Sequence, residues 1–164
     1  NAISQSGTPL DLAKGYRQSE AAALPQAKRG RAGREVSIHM AASKGDAIAV
    51  QAFIRRGIKV NTPGPLHKST PLHWAAGAGK VNTMETLISL GADIDSLSNS
   101  NATPLHQAVL RNRPEAVKLL SRSNADLNSQ NKSGYTPLDY ATANGWTELV
   151  KLLQNAGAIS GKLL

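Results

Sequence analysis

The chain has 164 residues, 40% of them apolar and only 4% aromatic, with 19 Lys or Arg against 11 Asp or Glu, a net charge of +8, and no cysteine. That length supports one ordinary domain, and the wealth of alanine and leucine over aromatics favours close-packed helices rather than a β-sandwich. The missing cysteines exclude a disulfide framework, a thiolate zinc site and a cysteine nucleophile, and no apolar run approaches the ~18 residues of a membrane span.

The chain opens on Asn1 rather than Met, so we expect a removed segment upstream: a signal peptide, a larger protein or an expression boundary. Cytoplasmic and exported or periplasmic locations both fit. The absent cysteines and the non-Met start lean towards the exported one. Residues Asn1–Gly7 read as the end of a preceding unit. Thr8–Ala13 then reads TPLDLA, and Pro25 cuts short the helix expected around Glu20. The run Lys28, Arg29, Gly30, Arg31, Ala32, Gly33, Arg34 follows, so residues 1–35 are expected to form a degenerate cap with a basic loop.

From Val36 onward a motif recurs. Val36–Ala42 reads VSIHMAA, Thr70–Ala76 TPLHWAA, Thr103–Val109 TPLHQAV and Thr136–Thr142 TPLDYAT, with starts 34, 33 and 33 residues apart; Thr8 lies 28 residues before Val36. Nine residues after each start stands Gly45, Gly79, Asn112 or Gly145, and twenty-one after stands Gly57, Gly91, Asn124 or Gly157. Glycine, with asparagine second, suits a left-handed helix end. Apolar stripes lie between these marks, such as Val117, Leu119, Leu120 or Leu149, Leu152, Leu153. Short extended tails follow, such as Ala92–Asp95 and Ala125–Asn128.

The threonine is read as a helix cap with proline in the first turn, where its missing N–H costs nothing. Each unit is then two short helices back to back, and stacking supplies the core that neither helix builds alone. The units run 36–69, 70–102, 103–135 and 136–164. The second linking segment, residues 61–69 (NTPGPLHKS), carries one extra residue, and Pro63 and Pro65 forbid a regular hairpin ladder there. Trp146 is expected to shield the terminal core, and Ile159–Leu164 to form a short tail.

The period of ~33 residues and the T-P-L-H-x-A core resemble the ankyrin repeat, from Val36 to Ala158 in full and before that in degenerate form. The resemblance implies an all-α solenoid of stacked helix pairs with hairpin-like fingers, a single domain over 1–164 of about five units. It also implies that the fourth-position histidines His39, His73 and His106 bond to neighbouring backbone. Asp11 and Asp139 stand at the same position. Recurring every ~33 residues, these groups form a ladder and not the compact cluster a metal needs. His67 has no such periodic reason.

Ankyrin proteins hold partners on finger tips and on the inner-helix surface. Carried over, the finger positions are Leu66, His67 and Ser69; Asn99, Ser100 and Ala102; and Lys132, Ser133 and Tyr135. The groove positions are Ser43 and Lys44, Gly77 and Ala78, Leu110 and Arg111, and Ala143 and Asn144. Trp74 and Tyr140 share the fifth motif position with Met40 and Gln107, either packing along the inner helices or forming an aromatic row in the groove. Tyr135, at a finger tip, has little structural reason for a large ring.

Residues 1–69 carry a net +7 and residues 70–164 a net +1. A field concentrated in one part of the chain speeds encounter with an acidic partner, though a basic loop also simply aids solubility. Without interleaved aromatics the basic run is not expected to bind nucleic acid. There is no G-x-S-x-G, phosphate-binding glycine loop, H-E-x-x-H or paired-carboxylate motif. No catalytic, cofactor-binding or metal residue is therefore assigned, and an enzyme is not expected. The expected role is a monomeric module that binds a folded, acidic partner and regulates or inhibits it. An upstream signal peptide would make it a small exported bacterial binder guarding against a secreted or periplasmic enzyme. Further repeats upstream would make it a scaffold fragment of a longer ankyrin protein.

Overall fold

The computed structural model describes residues 37–65 and 67–161, within a compact unit spanning Glu35–Leu164. The expectations for residues 1–36, the degenerate cap and the basic-loop residues Lys28, Arg29, Arg31 and Arg34, lie outside the described residues, as does Leu66.

Among the described residues there are eight helices and no strand. They are α1 (Ile38–Lys44), α2 (Ala47–Arg55), α3 (Pro71–Ala78), α4 (Val81–Ser89), α5 (Pro104–Leu110), α6 (Pro114–Arg122), α7 (Pro137–Ala143) and α8 (Thr147–Asn155). They pair in sequence. The first helices of successive pairs pack on one another, and so do the second helices. The four expected pairs are therefore stacked in order, each touching its neighbours.

The motif accounts for the local structure. Thr70, Thr103 and Thr136 cap α3, α5 and α7 in extended backbone, with proline at the first helical position. Valine offers no capping oxygen, so the first pair caps one residue later: the Ser37 hydroxyl accepts from the Met40 N–H at 3.3 Å. The third motif position is buried in every pair, at Ile38, Leu72, Leu105 and Leu138, as is the alanine at the sixth, at Ala41, Ala75, Ala108 and Ala141. Alanine there lets the inner helices approach closely, and each buried leucine contributes about 1.5–3 kcal/mol. Val50, Met84, Leu87, Val117, Leu120, Leu149 and Leu153 close the core from the second helices.

All eight helix-end positions adopt left-handed backbone, including the two asparagines, Asn112 at φ 49° and Asn124 at φ 62°. The fingers are turns closed by backbone bonds. Ser98 N–H donates to Ala102 O at 3.0 Å, Asn131 N–H to Tyr135 O at 3.0 Å, and Gly64 N–H to Ser69 O at 2.9 Å, a span one residue longer, as the extra residue requires. Neighbouring fingers are stitched together: Asn99 N–H donates to His67 O at 2.8 Å and Lys132 N–H to Ser100 O at 2.9 Å. Lower down, Asn61, Asp95 and Asn128 each accept a backbone N–H from the next unit, at Asp93, Asp126 and Ile159.

Candidate partner-binding groove

The polar fourth position sets the frame of the groove. Thr70 N–H donates to His73 Nδ1 at 3.1 Å, so that nitrogen carries no proton; the proton sits on Nε2, which donates to Ala102 O at 2.9 Å. His106 repeats this, with Thr103 N–H on Nδ1 at 3.2 Å and Nε2 donating to Tyr135 O at 3.1 Å. His39 Nε2 bonds Thr62 O at 2.8 Å. His73 and His106 thus each span one capping box and the next finger, whereas His39 reaches the finger alone. Burial pushes both His73 and His106 below their ordinary value near 6.5, against the opposing pull of the carbonyls they bond.

Asp139 takes the same place in the last described pair, but its neighbours are donors. Thr136 N–H reaches Oδ2 at 2.9 Å, Ser160 Oγ–H reaches Oδ1 at 2.6 Å and Gly161 N–H reaches Oδ2 at 2.9 Å. Burial alone raises its pKa; the hydrogen bonds from Ser160, Thr136 and Gly161 outweigh that and hold it below its ordinary 3.8. The tail Ile159–Gly161 is thereby fastened where a further finger would stand.

Between the inner helices and the fingers runs an open groove of about 780 Å³. Its floor is Trp74, Gly77 and Ala78 of α3, with Ser43 on one side and Gln107 and Arg111 on the other. Its finger wall is His67, Ser69, Asn99, Ser100 and Lys132. Trp74 meets His39 edge to face, with ring centroids 6.4 Å apart, yet remains 44% exposed. It therefore packs and lines the groove at once.

The other expected residues stand elsewhere. Tyr140 is half-buried against the core, edge-on to His106 at 6.2 Å, and its hydroxyl accepts from Asn131 Nδ2 at 2.7 Å. It packs. The expectation that the Tyr135 ring has little structural reason to be large is qualified by its tilted contact with Tyr140 at 5.6 Å. Neither tyrosine lines the groove, nor do Leu110, Ser133 or Asn144. Ser133 N–H bonds Asn131 Oδ1 within the finger, and Asn144 Nδ2 bonds Tyr140 O at the end of α7.

Sequence reasoning missed Arg113. It belongs to the segment between α5 and α6, but its side chain lies back over Gly79 of the preceding unit, and its Nε donates to Gly77 O at 3.3 Å. Lys80 lies over Gly45 in the same way. The available signal was a long basic residue next to each inter-helix turn, one unit after a bare glycine.

The family pattern described as Ankyrin repeats (3 copies) matches residues 38–131 and again 98–162. The chain belongs to the ankyrin-repeat family. Ankyrin repeats bind other proteins, so the chain is a protein–protein interaction module of a typically non-catalytic kind. Among its described residues no helix is long and apolar enough to cross a membrane.

Proposed function

We propose that this ankyrin protein, acting as a monomer, holds a folded partner with an acidic surface against its fingers and groove, and regulates or inhibits it. Trp74 carries the reading. A large ring left 44% exposed at the floor of a concavity contributes little to folding by that exposed face, and half-exposed aromatics in concave sites are the usual anchors of an interface. The basic residues Lys28, Arg29, Arg31 and Arg34 are taken to speed encounter with the partner.

The experiment is capture of a partner on immobilised wild type, Trp74→Ala and Arg111→Ala, identification by mass spectrometry, and assay of the partner's own activity with and without the protein. A partner lost with the groove variants, and altered in activity by the wild type, supports the proposal. A partner lost with the groove variants but unaltered in activity favours the scaffold reading. Capture indifferent to both variants refutes the groove. Neutralising Arg29, Arg31 and Arg34 is expected to slow association, an effect that added salt masks.

A further inference from the structure

The groove's chemistry specifies what enters it, an inference that rests on the partner-binding reading above. We propose that the occupant is a protruding acidic loop of the partner: an aliphatic side chain seated on Trp74 at Gly77, flanked by carboxylates that pair with Arg111 and Lys132.

The hollow beside Trp74 exists because Gly77 has no side chain. A Cβ there would meet Arg111 Cγ at 3.7 Å and Gln107 Cβ at 3.8 Å, ordinary contact distances, so the space is real and apolar on one side. A volume of about 780 Å³ suits a loop tip, since compact bound groups occupy about 300–1,000 Å³.

The rim is cationic without compensation. Arg111, Arg113 and Lys132 all line the groove, and none of its described lining residues is Asp or Glu. The one ion pair among the described residues is Lys118 with Glu115 on α6, so neither Arg111 nor Lys132 is neutralised by a described neighbour. Like charges facing one concavity repel until a counter-charge arrives, so an acidic occupant gains from all of them.

The backbone decides how that occupant binds. The N–H groups of Asn99 and Lys132 are already given to the neighbouring fingers, at His67 O and Ser100 O. The finger wall therefore offers those donors to no added strand, and recognition falls to side chains. A single-stranded nucleic acid is disfavoured, because one exposed ring is not a stacking ladder.

The test uses the full chain carrying Trp146→Phe, which leaves Trp74 as the sole indole of the two present. Its fluorescence is titrated with a short peptide in which a leucine is flanked by glutamates, with glutamine and lysine counterparts, and with oligothymidylate. Only the glutamate peptide is expected to shift the emission. Arg111→Glu and Lys132→Glu should each weaken it about tenfold, and raised salt should weaken it too. Replacing the peptide's leucine by glycine should weaken it as well, whereas Lys151→Glu on α8 should not. Circular dichroism checks that the variants remain folded.

Equal binding of the glutamine peptide, no shift with any peptide, or a response to oligothymidylate in place of the glutamate peptide overturns the proposal. With a captured partner the two readings separate. Loss with Trp74→Ala but indifference to Arg111→Glu and Lys132→Glu leaves the groove standing and removes the acidic occupant. Indifference to all three removes both.

Discussion

Replacing His73 by alanine strips the buried Thr70 N–H of its partner and removes one of the two hydrogen bonds on the Ala102 carbonyl, which keeps the Ser98 N–H. Both residues are buried, and the ring itself is only 2% exposed, so neither water nor a neighbouring side chain readily takes its place. A buried polar group left unpaired costs about 1–3 kcal/mol. With one such group left unpaired, His73→Ala should lose about 1–3 kcal/mol at neutral pH, read from urea unfolding. His106→Ala, with the same pair of bonds, should lose a similar amount.

The pH dependence is the sharper readout. Burial holds the folded ring neutral, and Nδ1 accepts the Thr70 N–H, a bond that protonation breaks. Its pKa lies below 6.5, so the unfolded chain takes up the proton first. Stability from this histidine is therefore complete above about pH 6.5 and is lost as pH falls towards the folded value, at up to about 1.4 kcal/mol per pH unit. The alanine variant has nothing to protonate. The stability gap between wild type and His73→Ala should narrow as pH falls from about 8 to 5. A gap that stays constant over that range, or a variant as stable as wild type at neutral pH, would refute the reasoning.

Thr83→Val should leave stability unchanged or raise it by about 1 kcal/mol in the same urea assay, because the buried Thr83 hydroxyl has no hydrogen-bond partner among the described residues. Gly77→Ala should stabilise α3 by about 0.5–1 kcal/mol, since its Cβ lands at ordinary contact distance. Gly79→Ala, two residues on, should instead cost about 1–2 kcal/mol, because φ there is +69°; calorimetry on the pair checks the contrast. Asp139→Asn turns one accepting oxygen into a donor facing donors, and should cost about 1–2 kcal/mol and speed hydrogen exchange at Gly161. With its folded pKa below 3.8, that difference should be full above pH 3.8 and fade as pH falls further.

Most of the scaffold was legible because a repeat states its rule several times. Asn112 and Asn124 could be placed at left-handed helix ends only because glycine stands there in the other units. A third left-handed row, Lys68, Asn101 and Gly134 at φ 51°, 55° and 77°, went unread, because three different residue types hide a shared backbone conformation. The groove was half legible. Its floor followed from small residues beside Trp74, and its finger wall from register. Arg113 was not legible, since its position depends on a glycine in the preceding unit. Tyr135 was only partly legible for a similar reason: its support is Tyr140, which the turn brings alongside it.

The fourth motif position shows how the repeat separates holding itself together from holding a partner. A neutral histidine has one acceptor and one donor nitrogen, which matches what it meets in the interior: an N–H in its own cap and a carbonyl in the next finger. Where the next element is Ile159–Gly161, it offers an N–H and a hydroxyl, and a group that only accepts, Asp139, stands there. The choice of residue follows the polarity of the neighbour, so these side chains have no hydrogen-bonding capacity to spare for a ligand. Arg111 and Lys132 obey no such rule. Lys44 is the one basic residue in register with either, the capping frame does not need them, and among the described residues no carboxylate pairs with them. Residues at the fourth position answer to the fold, and the unpaired cations around Trp74 are left for whatever the groove receives.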